Sequence, residues 1–131
     1  MRIAVSTELL SPSVLAFVGD AVYGLLVRTR LSAVNRPSGE LHRLSVKLVN
    51  ATAQAQAFKF IEPKLTEHEL SVFRRGRNFH TGSSPKNSSK AEYHAATGVE
   101  ALFGYLYLSD NKSRADELFE TIWEAQCPED E

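Results

Sequence analysis

Two long apolar stretches, each interrupted by one acid, constrain this chain more than any other feature. Between Leu9 and Val27 the only charged side chain is Asp20, and between Tyr93 and Ser109 the only Asp, Glu, Lys or Arg is Glu100. Both stretches read as helices with the acid in the middle, where neither acid can serve as an N-cap, and Asp is a poor helix former. No Lys or Arg lies within one turn of either acid. A charge in the middle of Leu9–Val27, together with Pro12, Gly19 and Gly24, argues against a membrane span and for a buried helix with a task at that charge. A buried carboxylate needs a partner or a proton. If the two helices are neighbours and the acids meet, they share one proton or hold a cation between them. A hard divalent cation is the economical answer, because Mg²⁺ keeps several waters and needs one or two protein carboxylates. The alternative is that the acids lie far apart, each satisfied by hydroxyls or by another chain.

The remaining pattern is helical. Ser11 is an N-cap with Pro12 at the first helical position, and the helix runs to about Leu31. Pro37 and Gly39 break the chain. A second stretch, about Gly39 to Phe60, carries Leu41, Leu44, Leu48 and Val49 at helical spacing, with a kink expected near Asn50 and a stop at Pro63. Thr66 to Glu69 is a capping box that opens a third helix, and Ser89 to Glu92 is another that opens the helix carrying Glu100. A last helix covers about Ser113 to Gln126, with Leu118, Ile122 and Trp123 inward. No two-residue alternation is long enough to claim a strand, so the expected class is all-α. The 131 residues fit one domain, with a core over about residues 10–126 and an acidic tail at 127–131.

Charge is unevenly spread. Residues 1–109 carry 13 Lys and Arg against 8 acids, and residues 110–131 carry 2 against 8. Between Glu69 and Glu92 there is no acid, and there are five bases: Arg74, Arg75, Arg77, Lys86 and Lys90. The net charge of −1 alone would not suggest a nucleic-acid partner, but this local excess does. A solvated basic loop is the plainer reading of the same residues. Cys127 is the single cysteine, so no disulfide forms within the chain, and with no targeting segment the expected compartment is the cytoplasm. Four histidines and one cysteine show no zinc-ligand spacing. Cys127 lies near an acidic tail that disfavours a thiolate nucleophile. Glycines cluster around the two acids (Gly19, Gly24, Gly98 and Gly104). Each costs about 1 kcal/mol relative to Ala within a helix, which points to close approach there by another helix, a subunit or a nucleic-acid backbone, with plain helix crossing the favoured reading at Gly104.

Leu15-Ala16-Phe17-Val18-Gly19-Asp20-Ala21-Val22 resembles the signature helix of the ribonuclease III family. Val99-Glu100-Ala101-Leu102-Phe103-Gly104-Tyr105-Leu106-Tyr107-Leu108 resembles its second acidic helix, and Glu40 to Ser45 with Leu48-Val49 resembles the helix between them. Arg74-Arg75-Gly76-Arg77-Asn78 and Pro85-Lys86-Asn87 are similar to the small branch called Mini-ribonuclease III. The resemblance covers about residues 10–126. It implies an all-α, homodimeric endoribonuclease with the signature helices near the two-fold axis. One acidic site per subunit, with Mg²⁺ at Asp20 and Glu100, would cut both strands of duplex RNA and leave 5′-phosphate and 3′-hydroxyl ends. The Mini branch is associated with maturation of the large-subunit (23S) ribosomal RNA precursor, which adds a ribosomal protein presenting the substrate as an expected partner. The 23 residues after Leu108 are too few for the duplex-RNA-binding domain of the full-length enzymes, which fits the Mini branch.

Three acids of the full-length pattern are replaced, by Ser13, Ala16 and Thr97. That favours one cation over two and leaves Thr97 able to hold a water. Arg74, Arg75, Arg77, Asn78, Lys86, Asn87 and Lys90 are the expected RNA contacts, with Ser84, Ser88 and His80 near 2′-hydroxyls. Arg28, Arg30 and Arg43 are weaker candidates, with ordinary surface charge as their alternative reading, and Glu40 is a further weak candidate to approach the substrate. Two other readings stand beside the nuclease: a catalytically silent RNA-binding or ribosome-assembly module, and a small helical protein that dimerises through its glycine-rich helices.

Overall fold

Helix starts lie where the chain supplies caps. In this computed structural model, which describes residues 6–79 and 89–126, the Ser11 hydroxyl accepts from the amide of Val14 and Pro12 occupies the first turn of α1, Pro12–Leu31. Both expected capping boxes are formed. Thr66 and Glu69 cap α4, Glu67–Arg77, and Ser89 and Glu92 cap α5, Lys90–Leu108. The expected single stretch from Gly39 to Phe60 is two helices, α2, Ser38–Leu48, and α3, Ala51–Ile61. The kink is a full break, and Asn50 makes it. Its Oδ1 accepts from the amide of Ala53 at 2.8 Å, while its Nδ2 donates to the carbonyl of Val46 at 2.9 Å. One side chain thus closes α2 and opens α3, as Asn does more readily than it sits inside a helix. The last helix, α6, is Lys112–Gln126. A short 3₁₀ turn at Thr7–Leu9, not evident in the sequence, precedes α1.

All described elements are helical, so the all-α class holds. The most buried helix is α5, with Val99, Ala101, Leu102 and Phe103 wholly enclosed. Helices α1, α3 and α4 pack around it, and α6 closes the far end against α3 and α5. Tyr23 of α1 meets Phe103 and Phe119 edge-on at 5.4 and 5.5 Å, joining α1, α5 and α6 in one core. Leu44, Leu48, Leu118 and Ile122 are buried as the helical spacing requires, while Leu41, Val49 and Trp123 are partly covered.

Among the described residues, one ion pair is largely withdrawn from water. Arg114 Nε donates to Glu69 Oε2 at 2.8 Å, and the same guanidinium donates to the carbonyl of Lys64 at 2.7 Å. Glu69 Oε1 also accepts the Thr66 amide at 2.9 Å, so the capping box and the pair are one network tying α6 to α4. The Arg114 bond is the main cause holding the Glu69 carboxyl below the usual carboxylate range. A depressed acid stabilises the fold above its unfolded pKa, and that contribution is lost as pH falls through the folded value. Arg114→Met is therefore expected to cost about 2–3 kcal/mol at pH 7, because it leaves a poorly hydrated carboxylate alone. Urea melts should show the gap from wild type closing as pH is lowered below about 4. A gap independent of pH would refute this account of the pair.

Candidate active site

The site is set by how closely α1 and α5 cross. A Cβ on Gly19 would overlap the carbonyl oxygen of Glu100 and lie 2.9 Å from the amide of Gly104. A Cβ on Gly104 would in turn overlap the carbonyl of Leu15 and lie 2.9 Å from the amide of Gly19. The two helices meet backbone to backbone, which answers what offsets the helical cost of these glycines. The expected helix crossing at Gly104 is present, and Gly19 is its counterpart. Asp20, next to Gly19, is thereby brought onto Glu100, whose carbonyl sits at the crossing.

The two acids share one cavity of about 290 Å³, lined by Ser13, Ala16, Phe17, Asp20, Phe79, Tyr93, Thr97 and Glu100. Ser13, Ala16 and Thr97, the three positions where the sequence departs from the full-length acidic pattern, all line this cavity. Thr97 donates its hydroxyl to the carbonyl of Tyr93 at 3.0 Å, which leaves the oxygen able only to accept from a water. Burial first, and the neighbouring Asp20 charge second, push the Glu100 carboxyl up to about 7. Asp20 itself is exposed. The expectation of two buried acids is therefore corrected: the crossing places Asp20 at the cavity mouth and Glu100 at its wall. Negative charge concentrated at a mouth open to solvent is an arrangement a soluble cation can reach.

The donors lining the cavity decide what kind of cation would fit it. Among the described lining residues there is no Lys or Arg to neutralise the pair. Two carboxylates with hydroxyls around them are hard oxygen donors, which suit Mg²⁺ with most of its waters retained. Among the described residues no group of three or more His, Cys, Asp or Glu gathers.

A residue that the sequence reading missed holds Glu100 from behind. Gln54 of α3 is 3% exposed, and its Nε2 donates to Glu100 Oε2 at 3.3 Å. No local sequence signal marks it, and only the burial pattern of α3 does. Gln54, Ala57 and Ile61 are the buried residues of α3, so the glutamine occupies a core position of the helical stripe, where an apolar side chain is the default.

The basic end of α4 is delivered to the same place. A Cβ on Gly76 would come 2.6 Å from the Cβ of Ala101, and one on Gly98 would come 2.7 Å from the Phe73 ring. The last turn of α4 therefore lies flat on α5 beside Glu100, and Phe79, just beyond it, lines the cavity. Arg74, Arg77, Asn78 and Lys90 are exposed. Arg77 Nε donates to Asn78 Oδ1 at 3.2 Å and lies over the Phe73 ring at 5.7 Å. Arg75 is exposed but donates to the carbonyl of Leu10 at 3.2 Å. Lys86, Asn87, His80, Ser84, Ser88 and Cys127 lie outside the described residues. The weaker candidates are engaged elsewhere: Arg28 donates to the carbonyl of Gly24, Arg30 pairs with Glu120, and Arg43 pairs with Glu40. Glu40 does not line the cavity.

An α-helical domain that brings one acid from each of two crossing helices into one cavity has the form of a ribonuclease III catalytic domain, and residues 13–111 match the family model for the ribonuclease III domain. The Mini-ribonuclease 3 of Thermoanaerobacter sp. is 47% identical over 112 residues, covering 85% of this chain and 79% of that protein. That of Clostridium tetani is 38% identical over 115 residues, covering 86% and 76%. The crystal structure of a Fusobacterium nucleatum protein superposes with a TM-score of 0.84 at 25% identity, covering 94% of this chain and 99% of that one. This chain belongs to the Mini-ribonuclease 3 family and is an endoribonuclease of ribonuclease III type. Among the described residues no helix is long and apolar enough to cross a membrane.

Proposed function

We propose that this protein cleaves double-stranded RNA with Mg²⁺ held by Asp20 and Glu100, acting as a homodimer in the cytoplasm on the precursor of 23S ribosomal RNA. The observation that carries this reading is the meeting of the chain's two solitary helix acids in one cavity beside the basic end of α4. When bound, the cation would lower the pKa of a water, orient it and offset charge on the phosphate. The protein's own part is to bind and to aim. Arg74, Arg77 and Lys90, with Asn78, grip phosphates and 2′-hydroxyls along the shallow groove; Lys86 and Asn87 belong to the same basic segment, and Arg75 contributes as far as its bond to Leu10 permits. Asp20 and Glu100 fix where the phosphate under attack must sit, and the ends left would be 5′-phosphate and 3′-hydroxyl. A ribosomal protein presenting the substrate is a further partner in this reading.

The dimer is supported by α1. Val14, Phe17, Ala21 and Leu25 form an exposed apolar stripe at helical spacing, with Phe17 81% exposed and Leu25 61% exposed. A helix that hides its other face in the core and leaves such a stripe bare suits a second copy. The stripe adjoins Asp20, so pairing through it would set two cavities side by side.

A cleavage assay on structured 23S precursor RNA tests the reading. Cuts on both strands are expected with Mg²⁺ and none in EDTA, and Phe17→Asp is expected to yield a monomer with little double-strand cutting. Cleavage in EDTA, or an unaltered dimer in Phe17→Asp, would contradict it. Binding is expected to be salt-led. The double variant Arg74→Ala, Arg77→Ala should lower the slope of log affinity against log salt by about one for each phosphate no longer gripped. An unchanged slope in fluorescence titrations of a non-cleaved duplex would remove these arginines from the interface.

A further inference from the structure

We propose that Gln54 is a positioning residue for the cation site, its amide N–H fixing the Glu100 carboxylate in the orientation that faces Asp20. The inference rests on the reading of Asp20 and Glu100 as the cation's ligands. A glutamine at 3% exposure has given up its water, and among the described residues its side chain makes one hydrogen bond, the 3.3 Å donation from Nε2 to Glu100 Oε2. A buried amide with so little return is expensive where an alanine or leucine would pack. Its neighbours on the buried stripe of α3, Ala57 and Ile61, are apolar. The polar choice at this one position therefore points to what it touches.

Geometry explains the choice. The backbone of Glu100 is clamped at the crossing with Gly19, but its side chain still has three rotatable bonds. Two carboxylates in contact repel, and without a tether Glu100 would turn away from Asp20. An N–H donor on Oε2 fixes the rotamer of a side chain that lines the cavity. A lysine or arginine in the place of Gln54 would also hold the carboxylate, but it would neutralise the charge that a cation needs. A neutral donor orients the ligand without competing with the ion. Hydrogen bonds of this kind behind metal ligands alter cation affinity by about 10- to 100-fold. With only two acids among the described residues of the cavity, each ligand's orientation counts for more than it would in a site richer in carboxylates.

The test uses the full-length protein and the metal alone. Calorimetric titration with Mn²⁺ should give a dissociation constant about 10- to 100-fold weaker for Gln54→Met than for wild type. The melting temperature should change by only a few degrees, since the swap conserves volume. Gln56→Met, an exposed change on the same helix, should bind as wild type. A second measurement needs no variant: in ¹⁵N-labelled wild type, Mg²⁺ should shift the side-chain amide resonances of Gln54 and leave those of Gln56 in place. Wild-type affinity in Gln54→Met, or Gln54 resonances unmoved at saturating Mg²⁺, would overturn the proposal while leaving the cation site standing. Failure of the wild type to bind either ion would overturn both.

Discussion

Asp20→Asn and Glu100→Gln are each expected to lower Mg²⁺-dependent cleavage of duplex RNA by about a thousandfold or more while the fold persists. A bound divalent cation contributes several kcal/mol of charge stabilisation, and about 4 kcal/mol corresponds to three decades in rate. Stability should move the other way. In metal-free buffer at pH 8, each substitution removes one of two mutually repelling carboxylates, and Glu100 is also partly desolvated. Both variants are therefore expected to melt at or above the wild-type temperature in EDTA. A nuclease that loses activity because it unfolds would show the reverse. Single-turnover cleavage and thermal melts on the same preparations separate the two, and an Asp20→Asn enzyme retaining a tenth of wild-type activity would exclude a ligand role for Asp20.

The second large effect concerns the crossing itself. Gly104→Val and Gly19→Ala place carbon atoms where the facing helix has its backbone, at Leu15 and at Glu100. Side chains can rotate away from an intruder, but a helix backbone cannot, so α1 and α5 must separate. The cost is expected to be at least about 3 kcal/mol, or a fall of about 10–15 °C in melting temperature for a domain of this size. Activity should fall further than stability, because separation moves Asp20 away from Glu100. Gly39→Ala is the control. A Cβ there meets nothing within 4 Å, and the position lies in the first turn of α2. That variant is expected to be neutral or slightly more stable, since alanine is the better helix former. Equal melting temperatures for Gly104→Val and Gly39→Ala would show that the crossing tolerates separation.

These two sets of variants also mark how much was legible in the sequence. The helix starts were, because caps are local chemistry: Ser11 with Pro12, Thr66 with Glu69, and Ser89 with Glu92 each announce a first turn within four residues. The meeting of Asp20 with Glu100 was legible only as a condition, since an isolated acid in an apolar helix states a need and not its partner. What decides it is the pairing of Gly19 with Gly104, a fit between surfaces 85 residues apart that no local pattern encodes. The break at Asn50 was half visible. Its capping chemistry marks a boundary, but whether α2 and α3 run on as one bent helix depends on what they pack against. Gln54 was missed because a glutamine beside alanines in ATAQAQAF reads as an exposed polar residue. Only the burial of Ala57 and Ile61 shows which face of α3 points inward. An apolar stretch around Asp20 suggests a helix enclosed on all sides, whereas α1 keeps one face bare at Phe17 and Leu25, and Asp20 is exposed.

In this reading Asp20 and Glu100 together hold one divalent cation. Electron paramagnetic resonance of Mn²⁺ titrated into the wild-type protein, Asp20→Asn and Glu100→Gln measures it directly. One bound Mn²⁺ per chain is expected in the wild type, with affinity at least about 30-fold weaker in each variant. Equal Mn²⁺ binding by all three proteins would contradict the account and leave the two carboxylates with no shared ion to explain their meeting.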